Sequence, residues 1–192
     1  MWDILLVFAR LLQFAGALVL LGSSLFCIYG LRALDQPWPT TNSRPWQRRI
    51  VSLSALAGIV GTVLWIMSET VLFSGESADG TDPAAVWLVF SETRFGRVCL
   101  LRVGLLIISL LATGLIVHQK VLMIVQAILA IAIITTFAWT GHGAMTAGWL
   151  GVLHLGGDVV HLWAAGVWFG ALPPIAILIW RAHRSGLHDD VR

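Results

Sequence analysis

The chain has 192 residues, of which 58% are hydrophobic and only 11% are charged. Soluble domains carry about 25% charged residues, so this composition excludes a soluble globular protein and indicates an integral membrane protein. The net charge of +2 comes with no basic run and no nucleotide-binding loop, so we expect no nucleic-acid binding, no nucleotide binding and no enzymatic activity.

Five apolar segments reach the length of about 20 residues that a transmembrane helix needs. In chain order they are residues 4–29, 50–73, 98–117, 121–139 and 152–180. The fourth contains no charged residue, and we expect it only to pack. The connections are short except for loop 74–97, in which 84–90 is expected to form a short interfacial helix. We therefore predict an all-α transmembrane bundle, residues 1–192, as a single membrane domain.

The positions of Lys and Arg predict the orientation of this bundle, because these residues accumulate in cytoplasmic loops. One side has eight of them outside the segments, and the opposite side has two, beside several acidic residues. The eight are Arg32, Arg44, Arg48, Arg49, Lys120, Arg181, Arg184 and Arg192, and the two are Arg94 and Arg97. We predict that the N-terminus lies outside and the C-terminus inside.

The fifth segment contains polar side chains that are costly in hydrocarbon and usually mark a functional site. They are His154, Asp158 and His161, and their i, i+4, i+7 spacing confines them to an arc of roughly 60° on a helix. Nitrogen and oxygen donors on one face suit a transition metal, a proton relay or a polar contact between helices. Asp158 could instead accept the N–H of a ligating histidine.

The outer loop before the fifth segment contains a second candidate pair, His142 and Met145. A soft thioether beside an imidazole suits copper, particularly Cu(I), better than it suits hard cations. The predicted topology places this pair near the point where His154 enters the membrane.

Four further residues in the outer half of the predicted bundle are candidates for contacting the metal ligands without binding the metal themselves. They are Glu69, Met67, Arg10 and Arg102. Glu69 in the second segment needs a partner, and either Arg10 or Arg102 would satisfy it as an ion pair. This structural role is what we expect for both arginines. Met67 is expected in the core.

The fifth segment also contains two patterns that concern its shape. Gly166 and Gly170 are four residues apart, as small residues are where membrane helices approach closely. Pro173 and Pro174 are expected to kink the helix or to end its regular part.

Three motifs together resemble the CopD/PcoD family of copper-resistance proteins of the bacterial inner membrane. The motifs are Trp139-Thr-Gly-His142-Gly-Ala, then His154-x3-Asp158-x2-His161-x2-Ala-Ala-Gly-Val-Trp168-Phe-Gly170-Ala-Leu, and Thr93-Arg-Phe-Gly-Arg-Val-Cys-Leu-Leu-Arg102. The resemblance covers residues 90–180 most closely and the first two segments by general pattern.

This resemblance implies that the chain handles copper between periplasm and cytoplasm. Copper, as Cu(I) or Cu(II), would be captured by His142 and Met145 and passed to His154, Asp158 and His161. The resemblance also implies a place in the inner membrane and a periplasmic copper-binding partner of the CopC type. Family members usually continue with about three more transmembrane helices, so the chain would correspond to their N-terminal five-helix portion.

Two other interpretations of the polar residues stay open. In a b-type cytochrome, histidines ligate haem; His154 and His161 are too close together for two stacked haems, but a single haem at His142 or His161 is compatible with the sequence. In a non-catalytic membrane subunit, Asp158 and Glu69 would pair with arginines and lock the bundle.

Overall fold

The computed structural model of the chain describes residues 2–33, 45–140 and 148–189, without the side chains of 31–33, 182 and 185–189. Every regular element in these ranges is an α-helix. The helices are α1 (Trp2–Ala33), α2 (Pro45–Ser74), α3 (Pro83–Glu92), α4 (Arg94–Leu115), α5 (Gln119–Ala138), α6 (Gly148–Phe169) and α7 (Leu172–Asp189). His142 and Met145 lie outside the described residues.

The prediction of five membrane spans is confirmed, since five helical stretches of the described residues are long and apolar enough to cross a bilayer. Four of them are α1, α2, α4 and α5, and the fifth combines α6 with most of α7. The short helix predicted in the long loop is α3, which is longer than expected at both ends. Arg48 and Arg49, expected in a loop, lie instead in the first turns of α2.

The predicted break near Pro173 and Pro174 is also present. Helix α6 ends at Phe169 and α7 begins at Leu172, so both prolines occupy the first turn of α7. Proline is tolerated there because the first turn of a helix has backbone N–H groups without intrahelical acceptors. The fifth span is therefore two helices that meet at Gly170.

Helix α1 lies at the centre of the bundle and packs against α2, α5 and α6. Helix α4 closes the bundle by packing on α2 and α5. The buried core between these helices is built mainly of aliphatic side chains with a few aromatic ones. Gly80 lies against Trp2, so the first residues of α1 and the long loop with α3 lie at the same end of the bundle, which we call the α3 end.

The contact between α1 and α6 depends on glycine at three positions. A Cβ added to Gly22 of α1 would lie 2.4 Å from the carbonyl oxygen of Gly166 and 2.3 Å from the carbonyl carbon of Gly170. A Cβ on Gly170 would lie 1.9 Å from the carbonyl oxygen of Leu18. These approaches are possible only between backbones without side chains, so the expected close contact at Gly166 and Gly170 is confirmed.

The turn between α3 and α4 is equally tight. Thr93 ends α3 and caps α4, and its hydroxyl accepts a hydrogen bond of 2.8 Å from the N–H of Gly96. A Cβ on Gly96 would lie 2.0 Å from the carbonyl oxygen of Val89. The sharp change of direction between the two helices therefore requires glycine at this position.

Helix α5 does more than pack, which corrects the expectation from its lack of charge. Gln126 donates to the carbonyl oxygen of Ser109 at 2.8 Å and to the hydroxyl of Thr113 at 2.9 Å.

An arginine of α2 holds the end of α4. Near the end of the bundle opposite α3, Arg48 donates to the carbonyl oxygens of Ile116 at 2.6 Å and Val117 at 3.1 Å, just after α4 ends. Neutral polar side chains and one arginine thus join α2, α4 and α5 by hydrogen bonds that hydrocarbon cannot replace.

We expect Gly22→Ala to weaken the packing of α6 on α1. The added methyl group would meet backbone atoms that no rotamer change can move, and such overpacking costs about 1–3 kcal/mol. Thermal unfolding of the purified protein in detergent measures the effect as a lowered Tm.

Gly104→Ala is the matched control, because Gly104 lies in helix α4 and a Cβ there meets nothing within 4 Å. Alanine is the better helix former by about 1 kcal/mol, so the control should leave the Tm unchanged or raise it. Equal Tm values for the two variants would contradict the close contact at Gly22.

Candidate metal site

His154, Asp158 and His161 lie on one flank of α6, which we call the polar flank, and all three are exposed. The side of α6 that faces the bundle carries the buried Gly151 and Gly166. At about 100° per residue, the three polar residues lie roughly 80–140° around the helix from Gly166 and 20–80° from Gly151. The flank therefore lies beside the contact with the bundle and is exposed, although it belongs to a helix apolar enough to span a membrane.

The polar flank has no partner within the described residues. No hydrogen bond or ion pair among them involves its two imidazoles or its carboxylate, and no three His, Cys, Asp or Glu side chains of the described ranges come together as a metal site would require. Its use as a metal site stays a prediction, as does that of His142 and Met145.

The spacing limits what one copy of the flank can do for one ion. His154 and Asp158 are about 6 Å apart along the helix axis, and Asp158 and His161 about 4.5 Å, at about 1.5 Å per residue. Side chains three or four residues apart can reach a common point, whereas His154 and His161 are separated by about 10 Å. One flank therefore supplies at most two ligands to an ion.

Glu69 is held by its own neighbours at the α3 end. Its Oε1 atom lies 3.3 Å from Nη2 of Arg10 and accepts a hydrogen bond of 2.8 Å from the indole N–H of Trp65. The guanidinium carbon of Arg10 lies 5.2 Å from the ring centroid of Trp65. Of the two partners expected for Glu69, Arg10 forms the ion pair. Met67, expected in the core, is half-buried.

Arg102, the other expected partner of Glu69, binds neutral groups instead. Its side chain is fully buried, and Nη1 donates to Oε1 of Gln13 at 2.8 Å. Nε donates to the hydroxyl of Thr136 at 2.8 Å, and Nη2 donates to the carbonyl oxygen of Thr136 at 3.1 Å. The guanidinium carbon also lies 3.9 Å from the ring centroid of Phe137. We call Arg102, Gln13 and Thr136 the arginine network.

The acceptors of Arg102 are not apparent from the sequence. Gln13 and Thr136 are neutral, and neither stands out by charge in an apolar segment. A usable signal exists nonetheless, because an arginine in hydrocarbon must find acceptors at its own depth. Gln13 in α1 and Thr136 near the end of α5 are polar residues that lie at that depth.

Comparison with known proteins identifies the family. Residues 1–152 match the family described as copper resistance protein D-like, N-terminal domain. The chain belongs to this family. Copper resistance protein D of Pseudomonas syringae pv. tomato is 30% identical to it over 181 residues. With the five apolar helices, this makes the chain a multi-pass membrane protein, and a place in the inner membrane is consistent with the family.

The extent of these matches differs from the resemblance seen in the sequence. The family match includes the first two spans, which had shown only a general pattern, and it ends at residue 152, just before the polar flank. The alignment with the Pseudomonas protein covers 93% of the chain but 57% of that relative, so the chain spans little more than half the length of its curated relative. No solved structure gives a significant match.

We expect Arg102→Ala to destabilise the protein, because Gln13 and Thr136 would lose the donor that joins α1, α4 and α5. Hydrogen bonds to a charged group contribute about 1.5–3 kcal/mol each, so the loss of three should lower the Tm in detergent by roughly 10 °C or more. Arg102→Lys should restore little, since an ammonium group cannot reproduce the fork of N–H donors.

Arg97→Ala is the control on the same helix, since Arg97 is exposed. Its Tm should stay within about 1–2 °C of the original, as for most exposed substitutions. If Arg102→Ala kept the original Tm and lost only copper binding, Arg102 would belong to the metal site and the structural role would be wrong.

Proposed function

We propose that the chain is a non-enzymatic, copper-handling membrane protein that binds copper on the polar flank of α6. One observation carries this proposal: two imidazoles and a carboxylate share one flank of a membrane-spanning helix in a chain of the copper resistance protein D family. Imidazole and carboxylate are ligands that first-row transition metals accept, and copper binds such sites more tightly than the other divalent ions of that row.

In this proposal His142 and Met145 capture copper, and the polar flank receives it. The segment that contains them directly precedes α6 in the sequence, so in this proposal His154 is the first residue of the flank to receive the captured copper. The thioether favours Cu(I), while the harder donors along α6 also accept Cu(II). The α3 end would face the periplasm, as the distribution of basic residues predicts, and a CopC-type protein would deliver copper there.

The charge of the arginine network supports a route along α6 in preference to one through the core. Arg102 is a buried cation whose hydrogen-bond acceptors are all neutral. Two unit positive charges 4 Å apart repel by about 4 kcal/mol at the effective dielectric of a protein surface, and by more in its interior. A copper ion passing between α1, α2, α4 and α5 would meet this repulsion, whereas the polar flank presents a carboxylate.

The observed contacts give less support to the alternative in which Glu69 and Asp158 both pair with arginines and only hold the bundle together. Arg10 and Glu69 do form a locking ion pair. The polar flank, in contrast, forms no hydrogen bond with any described residue of the bundle that it would have to lock. A single haem is the remaining alternative, and it predicts a Soret absorption band.

We expect His154→Ala/His161→Ala to abolish most copper binding. Loss of a residue that hydrogen-bonds a metal ligand already lowers metal affinity by about 10- to 100-fold. Removal of two ligands should therefore weaken copper binding at least about tenfold. Metal analysis of the purified protein after dialysis against defined free copper measures this change, and copper accumulation in cells that express each variant should fall with it.

His118→Ala/His183→Ala is the matched control, because it also removes two exposed imidazoles, one before α5 and one on α7. These lie toward the end of the bundle opposite α3, and the control should bind copper like the original protein. If both double variants kept full copper binding, the polar flank would not be the site. A Soret band in the metal-loaded original protein would favour haem over copper.

A further inference from the structure

No described residue of the chain covers the polar flank of α6. The span formed by α6 and α7 is the least buried of the five, and Asp158 and His161 lie about 15 and 20 Å along α6 from its first residue, at about 1.5 Å per residue. Side chains of this kind inside a membrane face protein or water, because exposure to lipid is costly. The flank is therefore expected to lie against protein or water, and a second protein surface would shield it from lipid.

The same flank is also incomplete as a metal site. It offers at most two ligands to one ion, and the described residues place no third His, Cys, Asp or Glu beside them. Copper(II) with nitrogen and oxygen donors prefers four ligands in a tetragonal arrangement. Another helix at the same depth could supply the missing ligands.

Resting on the copper site proposed above, we infer that two copies of the chain pack the polar flanks of their α6 helices together and bind copper between them. Both copies insert in the same direction, so a two-fold axis along the membrane normal brings each residue of the flank to the depth of its own counterpart. Two ligands from each copy then complete a four-coordinate site.

In this arrangement like residues face each other, and the order of the residues still brings unlike groups near. Asp158 lies between the two histidines, so the carboxylate of one copy comes within about 6 Å, along the helix axis, of both imidazoles of the other. Carboxylate–imidazole contacts across the interface would offset the mutual repulsion of the two Asp158 side chains, and a bound cation would offset it further. We therefore expect copper to strengthen the association.

The shape of α6 permits a close approach at this flank. Gly157 lies roughly 40° from His161, 60° from His154 and 100° from Asp158 around the helix, and a Cβ at Gly157 would meet nothing within 4 Å. A small residue beside the two histidines lets two helix backbones come near each other at the edge of the flank.

The mass of the purified protein, titrated with copper in detergent, tests this inference. We expect a dimer with one flank-dependent copper ion for two chains, and a monomer without flank-dependent copper for the triple variant His154→Ala/Asp158→Ala/His161→Ala. A monomer that binds one copper per chain through the polar flank would overturn the dimer and leave the proposed function intact. Unchanged copper binding by the triple variant would instead remove the proposed function, and the inference with it.

Cross-linking locates the interface independently of copper stoichiometry. We expect Gly157→Cys to form dimers with a short bifunctional methanethiosulfonate, while the native Cys27 and Cys99 stay unreactive because they are buried. Gly156→Cys is the matched control, since a Cβ at Gly156 also meets nothing within 4 Å but lies about 140–160° from the polar flank.

Selective cross-linking at Gly157→Cys supports the paired flanks. Equal cross-linking at both positions would indicate random collision and contradict the interface. Absence of cross-linking at Gly157→Cys in a copper-loaded dimer would place the dimer contact elsewhere and overturn the inference. A copper-loaded monomer would point to another occupant, such as helices of the kind by which the Pseudomonas relative exceeds this chain.

Discussion

The guanidinium of Arg102 is buried at the centre of the α3 end, and the arrangement of the surrounding helices depends on satisfying it. Its donors reach α1 through Gln13 and α5 through Thr136, and its face lies on the ring of Phe137. Hydrocarbon offers no substitute for these acceptors, so α1, α4 and α5 must keep their present rotation and depth. A charged residue thus fixes the register of three helices whose apolar surfaces would permit many registers.

The polar groups of the bundle fall into two classes, according to whether other residues of the chain satisfy their hydrogen bonds. Most of those in the core find partners within the chain, either around Arg102 and Glu69 or around Gln126 toward the other end. The three polar residues on the polar flank of α6 form no hydrogen bond with any described residue. The first class accounts for the stability of the bundle and the second for its chemistry, because an unsatisfied donor set is available to a metal or to a partner and a satisfied one is not.

The number of spans, the short helix α3, the close approach of α6 and the break before α7 were predictable, since each depends on a local pattern of apolar length, glycine or proline. The partner of Glu69 was predictable only as a choice between two arginines. The number of residues between Glu69 and each arginine does not show which arginine faces Glu69 in the folded bundle. The acceptors of Arg102 escaped notice because neutral side chains such as Gln13 are not marked by charge. That His154 and His161 share a face followed from their spacing; that this face is exposed required the packing of α6.

The exposure of the polar flank follows from the way α6 docks. Gly166 and Gly170 must face Gly22, because any side chain at this contact would overlap backbone atoms. This requirement sets the rotation of α6 and turns the polar flank to the side, roughly 80–140° from Gly166. Turning the ligands into the core would bring larger side chains against Gly22 and separate the two backbones. The contact that holds α6 to the bundle is therefore also the one that presents its ligands outward, where a second helix is needed to complete the site.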